Sequence, residues 1–92
     1  MQFDWDEAKR QRNLAKHGVD FVDAQALFDG RPVVITRSPY PDEERYVTTG
    51  IVAGRFVTLI RAQRRTVIRI ISARRTRNAE WRAYRAVHGG RA

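Results

Sequence analysis

Apolar positions follow a helical rhythm at both ends of the chain and a strand rhythm between them. Near the start, Trp5, Ala8, Arg12 and Ala15 share one side of a helix, and Lys9, Asn13, Lys16 and His17 share another. Asp4, with Glu7 three residues on, resembles a capping box, and Asp6 is a second cap candidate. The helix is expected to run to His17, with Gly18 just past its end. A second helix is predicted over residues 20–29, capped by Asp20, with Phe21, Ala24, Leu27 and Phe28 as its core stripe.

The middle of the chain changes period. Strands are predicted over residues 32–37, 45–52, 56–62 and 66–73. A loop over residues 38–44 and tight turns at 53–54 and 63–65 separate them. Such short connections make an antiparallel meander. The last strand is the most apolar, with alternating faces Thr66/Ile68/Ile70/Ser72 and Val67/Arg69/Ile71/Ala73. Strict alternation puts Arg69 on a core face, where it needs an acidic partner or an anion. A last helix, residues 77–88, is capped by Thr76 or Asn78, with Glu80, Tyr84 and His88 on one side. Residues 89–92 read as a frayed end. The order ααββββα describes one α+β domain over residues 1–92: two N-terminal helices, a four-stranded antiparallel sheet and one C-terminal helix.

Charge changes the picture more than composition does. The net charge is +8, but residues 1–44 carry −3 and residues 45–92 carry +11, with Glu80 the one acid of the second part. Sixteen of the 18 basic residues are Arg, whose planar fork binds phosphate bidentately. A nucleic acid or an acidic protein is therefore the expected partner. The absence of cysteine excludes a disulfide scaffold or thiolate metal site. No apolar run is long enough to span a bilayer, and the acidic start lacks a signal-peptide core. These features suggest a cytoplasmic protein that does not engage a membrane. There is no phosphate-binding glycine loop, and His17 and His88 stand far apart, so neither a nucleotide cofactor nor a bound metal is expected.

The remaining inventory of Arg, Lys, His, Tyr and Glu80 suits RNA cleavage without a metal. RNA supplies its own nucleophile, the 2′-hydroxyl. The protein must take that proton, neutralise the phosphorane and protonate the departing 5′-oxygen. The same inventory also suits a non-catalytic nucleic-acid binder.

Several blocks carry a family resemblance. They are Phe3-x-Trp5-Asp6-x-x-Lys9, Asn13-Leu14-x-Lys16-His17-Gly18-Val19-x-Phe21-x-x-Ala24, Asp29, Glu44-Arg45, Gly50, Ile68-Arg69-Ile70-Ile71-Ser72-Ala73-Arg74 and Glu80-x-x-x-Tyr84. Together they resemble the BrnT family, toxins of type II toxin–antitoxin modules related in fold to the RelE ribonucleases. Glu7 stands where many members have Pro, and both residues suit a first helical turn. The resemblance implies a metal-independent endoribonuclease that arrests translation. It also implies neutralisation by a BrnA-type antitoxin, with operator DNA bound only through the complex. A member that has lost toxicity and acts as an antitoxin-binding corepressor is the other outcome.

Candidate roles follow on this sequence. Arg69 is the candidate stabiliser of the transition-state anion, and Arg74 the candidate ligand of the substrate phosphate. His17 is a candidate acid or base, because imidazole titrates near neutrality. Lys9 assists on the same helix face, and Tyr84 stacks on a base or donates a proton. Glu80 is either a base or the anchor of Arg69 or Arg74. Arg45, Asn13, Lys16 and Arg75 are candidate substrate-binding residues.

Overall fold

The computed structural model of the chain describes residues 1–89. Residues 90–92 of the expected frayed tail lie outside the described residues. The sheet has five strands rather than four and is mixed rather than antiparallel. Its members are β1 (Gln2–Asp4), β2 (Val33–Arg37), β3 (Arg45–Val52), β4 (Arg55–Arg64) and β5 (Val67–Arg75), in the order β1-β5-β4-β3-β2. The helices are α1 (Glu7–His17), α2 (Phe21–Ala24) and α3 (Asn78–His88), with a 3₁₀ turn (Gln25–Phe28) after α2. None of them is long and apolar enough to cross a membrane.

The unexpected strand is β1, which pairs in parallel with β5, Phe3 opposite Ile68 and Asp4 opposite Arg69. Three residues are too few to show a period, and the segment is held by distant contacts. Phe3 packs on Phe28 at 5.4 Å between ring centroids. Asp4 is therefore in a strand, and the cap of α1 is Asp6, whose carboxylate accepts the Lys9 N–H at 3.1 Å. At the other end Gly18 adopts φ 69°, and its N–H donates to Leu14 O at 2.9 Å. A residue with a side chain is disfavoured in that conformation.

Asp20 caps α2 through the Val22 N–H, as the sequence suggests. The predicted single helix over residues 20–29 is instead a short α-turn that tightens into 3₁₀. Its buried residues Phe21, Ala24 and Leu27 recur every third position. Three residues per turn aligns them on one line facing the sheet. They form the core with Val19, Val57, Leu59, Ile70 and Ala73.

The meander keeps its predicted order. β3 and β4 join through Ala53 and Gly54, both at positive φ, the turn that matches strand twist. β4 and β5 join through Arg65 and Thr66 rather than residues 63–65, because β4 continues to Arg64. The register of this pair contains a bulge: Ile60 faces Ser72 and Arg61 faces Ile70, so Ile71 has no partner. Alternation breaks there. Ile68, Ile70 and Ala73 are buried, while Arg69, Ser72 and Arg74 lie opposite Ala62, Ile60 and Thr58 on the other face. Arg69 is thus off the core face that strict alternation gave it.

α3 covers part of that second face. Its N-cap is Arg77, between the two expected positions. No α3 residue is buried, and a hollow of about 190 Å³ remains between Ala79, Glu80 and Ala83 and the strand residues Val34, Thr36, Val47 and Thr49. Tyr84 meets Phe56 edge-on at 5.2 Å, and His88 Nε2 donates to Val33 O at 2.8 Å.

Gly50 marks a close approach of the helical layer to the sheet. A Cβ there would lie 2.7 Å from Leu27 Cδ2 and 3.2 Å from Pro32 O. Gly50→Ala is expected to destabilise the fold by about 1–3 kcal/mol, because the core has to shift around the added carbon. Urea denaturation checks this, and an unchanged midpoint contradicts it.

Candidate functional site between α1 and β5

β1 ends at Asp4, so the outer edge of β5 beyond Arg69 has no neighbouring strand. α1 fills that position through one side chain. Asn13 Nδ2 donates to Ala73 O at 2.6 Å and to Val19 O at 3.0 Å. Its Oδ1 accepts the Ala73 N–H and the Ser72 hydroxyl, each at 3.3 Å. The amide thus pairs with the strand edge much as a peptide group would. Asn13 is saturated by protein, which makes it a brace rather than a free ligand.

The brace holds one face of α1 over the bulge. Lys9, Arg12, Asn13, Lys16 and His17 line a groove of about 400 Å³ whose floor is Ile71 and Ser72. Lys9, Arg12 and Lys16 are exposed and His17 is half-buried. No carboxylate pairs with any of the three cations among the described residues. The sequence placed Arg12 with the apolar side of the helix. The signal that finds it is that residue 12 lies three residues from 9 and four from 16, the spacing that also relates 13 to 16 and 9. Ser72 was likewise not singled out, because only the bulge turns it toward α1.

Other candidates stand around this groove. Arg69 and Arg74 share the face of Ser72, an arrangement that the bulge creates. Arg69 Nη1 lies 3.3 Å from Asp4 Oδ1, and its side chain is 33 % exposed. Arg74 is only 14 % exposed and grips Glu80 bidentately at 2.9 and 2.8 Å. Glu80 Oε1 also accepts the Arg77 N–H at 2.9 Å and the Thr58 hydroxyl at 3.0 Å. With its proton committed there, Thr58 accepts from Thr49 and Thr76, both at 3.0 Å. Arg74 first, then the Arg77 N–H and Thr58, hold the Glu80 carboxyl at about 2 against the opposing effect of burial. Glu80 is therefore an ionised anchor at neutral pH.

The rest are dispersed. Arg75 lines a second hollow with Arg55, Val19 and Thr76, next to the point where Arg55 Nη2 donates to Gly18 O. Tyr84 borders a third hollow with Asp29, Arg31 and Ile51, which shares no residue with the α1 groove. Arg45 pairs with Glu43 at 2.8 Å, and its guanidinium lies 3.7 Å above the Tyr40 ring.

A family model described as "Ribonuclease toxin, BrnT, of type II toxin-antitoxin system" matches residues 5–80. No curated protein gives a significant match to the chain.

The Arg74–Glu80 pair sets an expected acid sensitivity. The Glu80 carboxyl is lowered on folding from 4.5 to about 2, so its stabilisation is complete above about pH 5 and is lost as pH falls from 4.5 toward 2. With the pair still partly solvated, its contribution is on the order of 1–2 kcal/mol. Glu80→Gln should lower the urea midpoint at pH 7 and flatten the pH dependence between 4.5 and 2. Parallel acid profiles for the two proteins contradict the assignment.

Proposed function

The chain belongs to the BrnT family of ribonuclease toxins of type II toxin–antitoxin systems, and we propose that it is an endoribonuclease whose catalytic groove lies between α1 and β5. The observation that carries this reading is the convergence of Lys9, Arg12, Lys16 and His17 on Ser72, beside the face that bears Arg69 and Arg74. A groove rich in cations and without a carboxylate suits a polyanion. Lys9, Arg12 and Lys16 hold successive phosphates of a single strand, and Ser72 borders the floor beneath the scissile one.

The chemistry uses the substrate's own nucleophile. The 2′-oxygen attacks phosphorus, the bond to the 5′-oxygen breaks, and the products end in a 2′,3′-cyclic phosphate and a 5′-hydroxyl. His17, the imidazole on the groove wall, moves a proton at one of these two oxygens. Lys9 stands on the same groove wall about two turns earlier and serves the other oxygen or the phosphorane charge. Arg69, partly exposed, contributes positive potential to the phosphorane. Arg74 does so from its seat on Glu80, which positions it and takes no proton. This route needs no metal. Tyr84, Arg45 and Arg75 border other surfaces and are assigned no bond-making step.

In the cell, RNA cleavage of this kind arrests translation in the cytoplasm. Membership of the family supports a protein antitoxin, here of BrnA type, that neutralises the toxin and brings the complex to operator DNA.

Purified protein incubated with end-labelled RNA in EDTA should release fragments with cyclic-phosphate ends. His17→Ala should slow cleavage by about 100-fold or more, and Lys16→Ala should chiefly raise KM. RNA that stays intact at every protein concentration overturns the proposal. RNA that is bound with a steep salt dependence but never cut identifies a non-catalytic binder.

A further inference from the structure

The opposite face of the sheet carries a charge without a counter-ion. Arg61 of β4 is only 8 % exposed. Its guanidinium lies 4.7 Å from the Tyr46 ring centroid and 5.2 Å from that of Phe28. Nη1 donates to Gln63 Oε1 at 2.8 Å, while Nε is buried with no hydrogen-bond partner. No carboxylate pairs with it among the described residues; Glu44, two residues before Tyr46, accepts from the Tyr46 hydroxyl. Burial accordingly pushes the guanidinium below its ordinary value. The other orphaned buried atom is Thr48 Oγ1, on the neighbouring row of the same face.

A buried cation held by ring faces and one amide costs stability that Met or Leu would not cost. Such a breach of packing rules is the mark of a site kept for use. The register shows what surrounds it. Arg37, Tyr46 and Arg61 form one row across β2, β3 and β4, and Ile35, Thr48 and Leu59 form the next. α2 and the 3₁₀ turn cover the β5 and β3 side of this face. Ile35 remains 49 % exposed on the edge strand, and Arg37 is exposed and also forms no ion pair among the described residues. RNA lying in the α1 groove is on the wrong side to reach this row: Ser72 faces Ile60, and Ile60 and Arg61 point to opposite faces of β4.

We propose that the row Arg37–Tyr46–Arg61, with Ile35 beside it, is the docking surface for an acidic, partly apolar segment of the antitoxin. A partner carboxylate takes the place between the two guanidinium groups, and an apolar partner side chain covers Ile35. This rests on membership of a toxin–antitoxin family and not on the catalytic reading of the α1 groove. The charge complementarity runs one way: this face offers two unpaired cations and an apolar rim, which suits a polypeptide carrying both kinds of group. A nucleic acid would leave Ile35 without an apolar contact.

Arg61→Met removes the charge and leaves an unbranched apolar side chain beside the two rings. Its expected signature has three parts: a raised Tm for the isolated toxin, at least tenfold weaker binding to the purified antitoxin of the same module, and unchanged cleavage of labelled RNA. Arg37→Glu, at an exposed position that does not test folding, should also weaken antitoxin binding at least tenfold, and high salt should narrow its difference from wild type. Should Arg61→Met fail to fold, Arg37→Glu alone decides the matter. Wild-type antitoxin affinity in a folded Arg61→Met variant, or in Arg37→Glu, overturns the proposal. Lost RNA binding with intact antitoxin binding overturns it in favour of a nucleic-acid surface. A wild-type protein that never cleaves RNA leaves these affinities readable, so the two proposals fail separately.

Discussion

Asn13 carries a primary amide, the same donor and acceptor pair as a peptide group, and α1 commits it to the backbone of β5. Four contacts at 2.6 to 3.3 Å tie it to Val19, Ser72 and Ala73. α1 buries none of its own residues, so apolar packing does little to fix its place. The amide has to do what a hydrophobic stripe does for most helices. Each such bond is worth only about 1 kcal/mol net, but leaving the Ala73 groups unpaired at a half-covered edge costs more. The groove exists because that edge was left open by a three-residue β1 and then closed by a side chain.

Most of the acids are taken up in the same scaffold. Glu7 and Asp20 hold Arg10, Asp29 holds Arg31, Glu43 holds Arg45 and Arg64, Asp4 holds Arg69, and Glu80 holds Arg74. The acidic first half therefore does more than attract the basic second half at long range. Its carboxylates fix turns, caps and strand ends, often against arginines nearby in sequence. What is left over is cationic: Lys9, Arg12 and Lys16 stand on the outward face of α1, Arg37 and Arg61 on the sheet, and Arg55 and Arg75 at strand ends. A net charge of +8 in 92 residues carries some self-repulsion, which these local pairs relieve in part.

Much of this was legible in the chain itself. The αL glycine after His17, the Asp20 cap, the strand over residues 45–52 and the buried Phe21/Ala24/Leu27 line follow from local chemistry, which acts within a turn or a hairpin. The polar stripe of Lys9, Asn13, Lys16 and His17 was visible for the same reason. What local rules missed depends on distant partners. β1 is a strand only because Val67, Ile68 and Arg69 are there to receive it. The bulge at Ile71 cannot be read from β5 alone, since it is a mismatch in count between β5 and β4. From it followed the error over the face of Arg69. Glu80 was read with its two alternatives open, and the choice of Arg74 is set by the bidentate geometry across the start of α3.

The pairing of Gln2–Asp4 with the fourth strand of the meander joins residues 65 positions apart. Contacts so distant along a chain form late, after local hairpins and helices. A ribosome synthesising this polypeptide releases Asp4 well before Arg69, its partner 65 residues further along. Until then the fifth strand has no flank, Asn13 has no edge to hold, and the cations of α1 stand over nothing. A growing polypeptide that stops short of β5 therefore has α1 but not the strand that forms the floor of its groove, and the two walls meet only once β5 is in place.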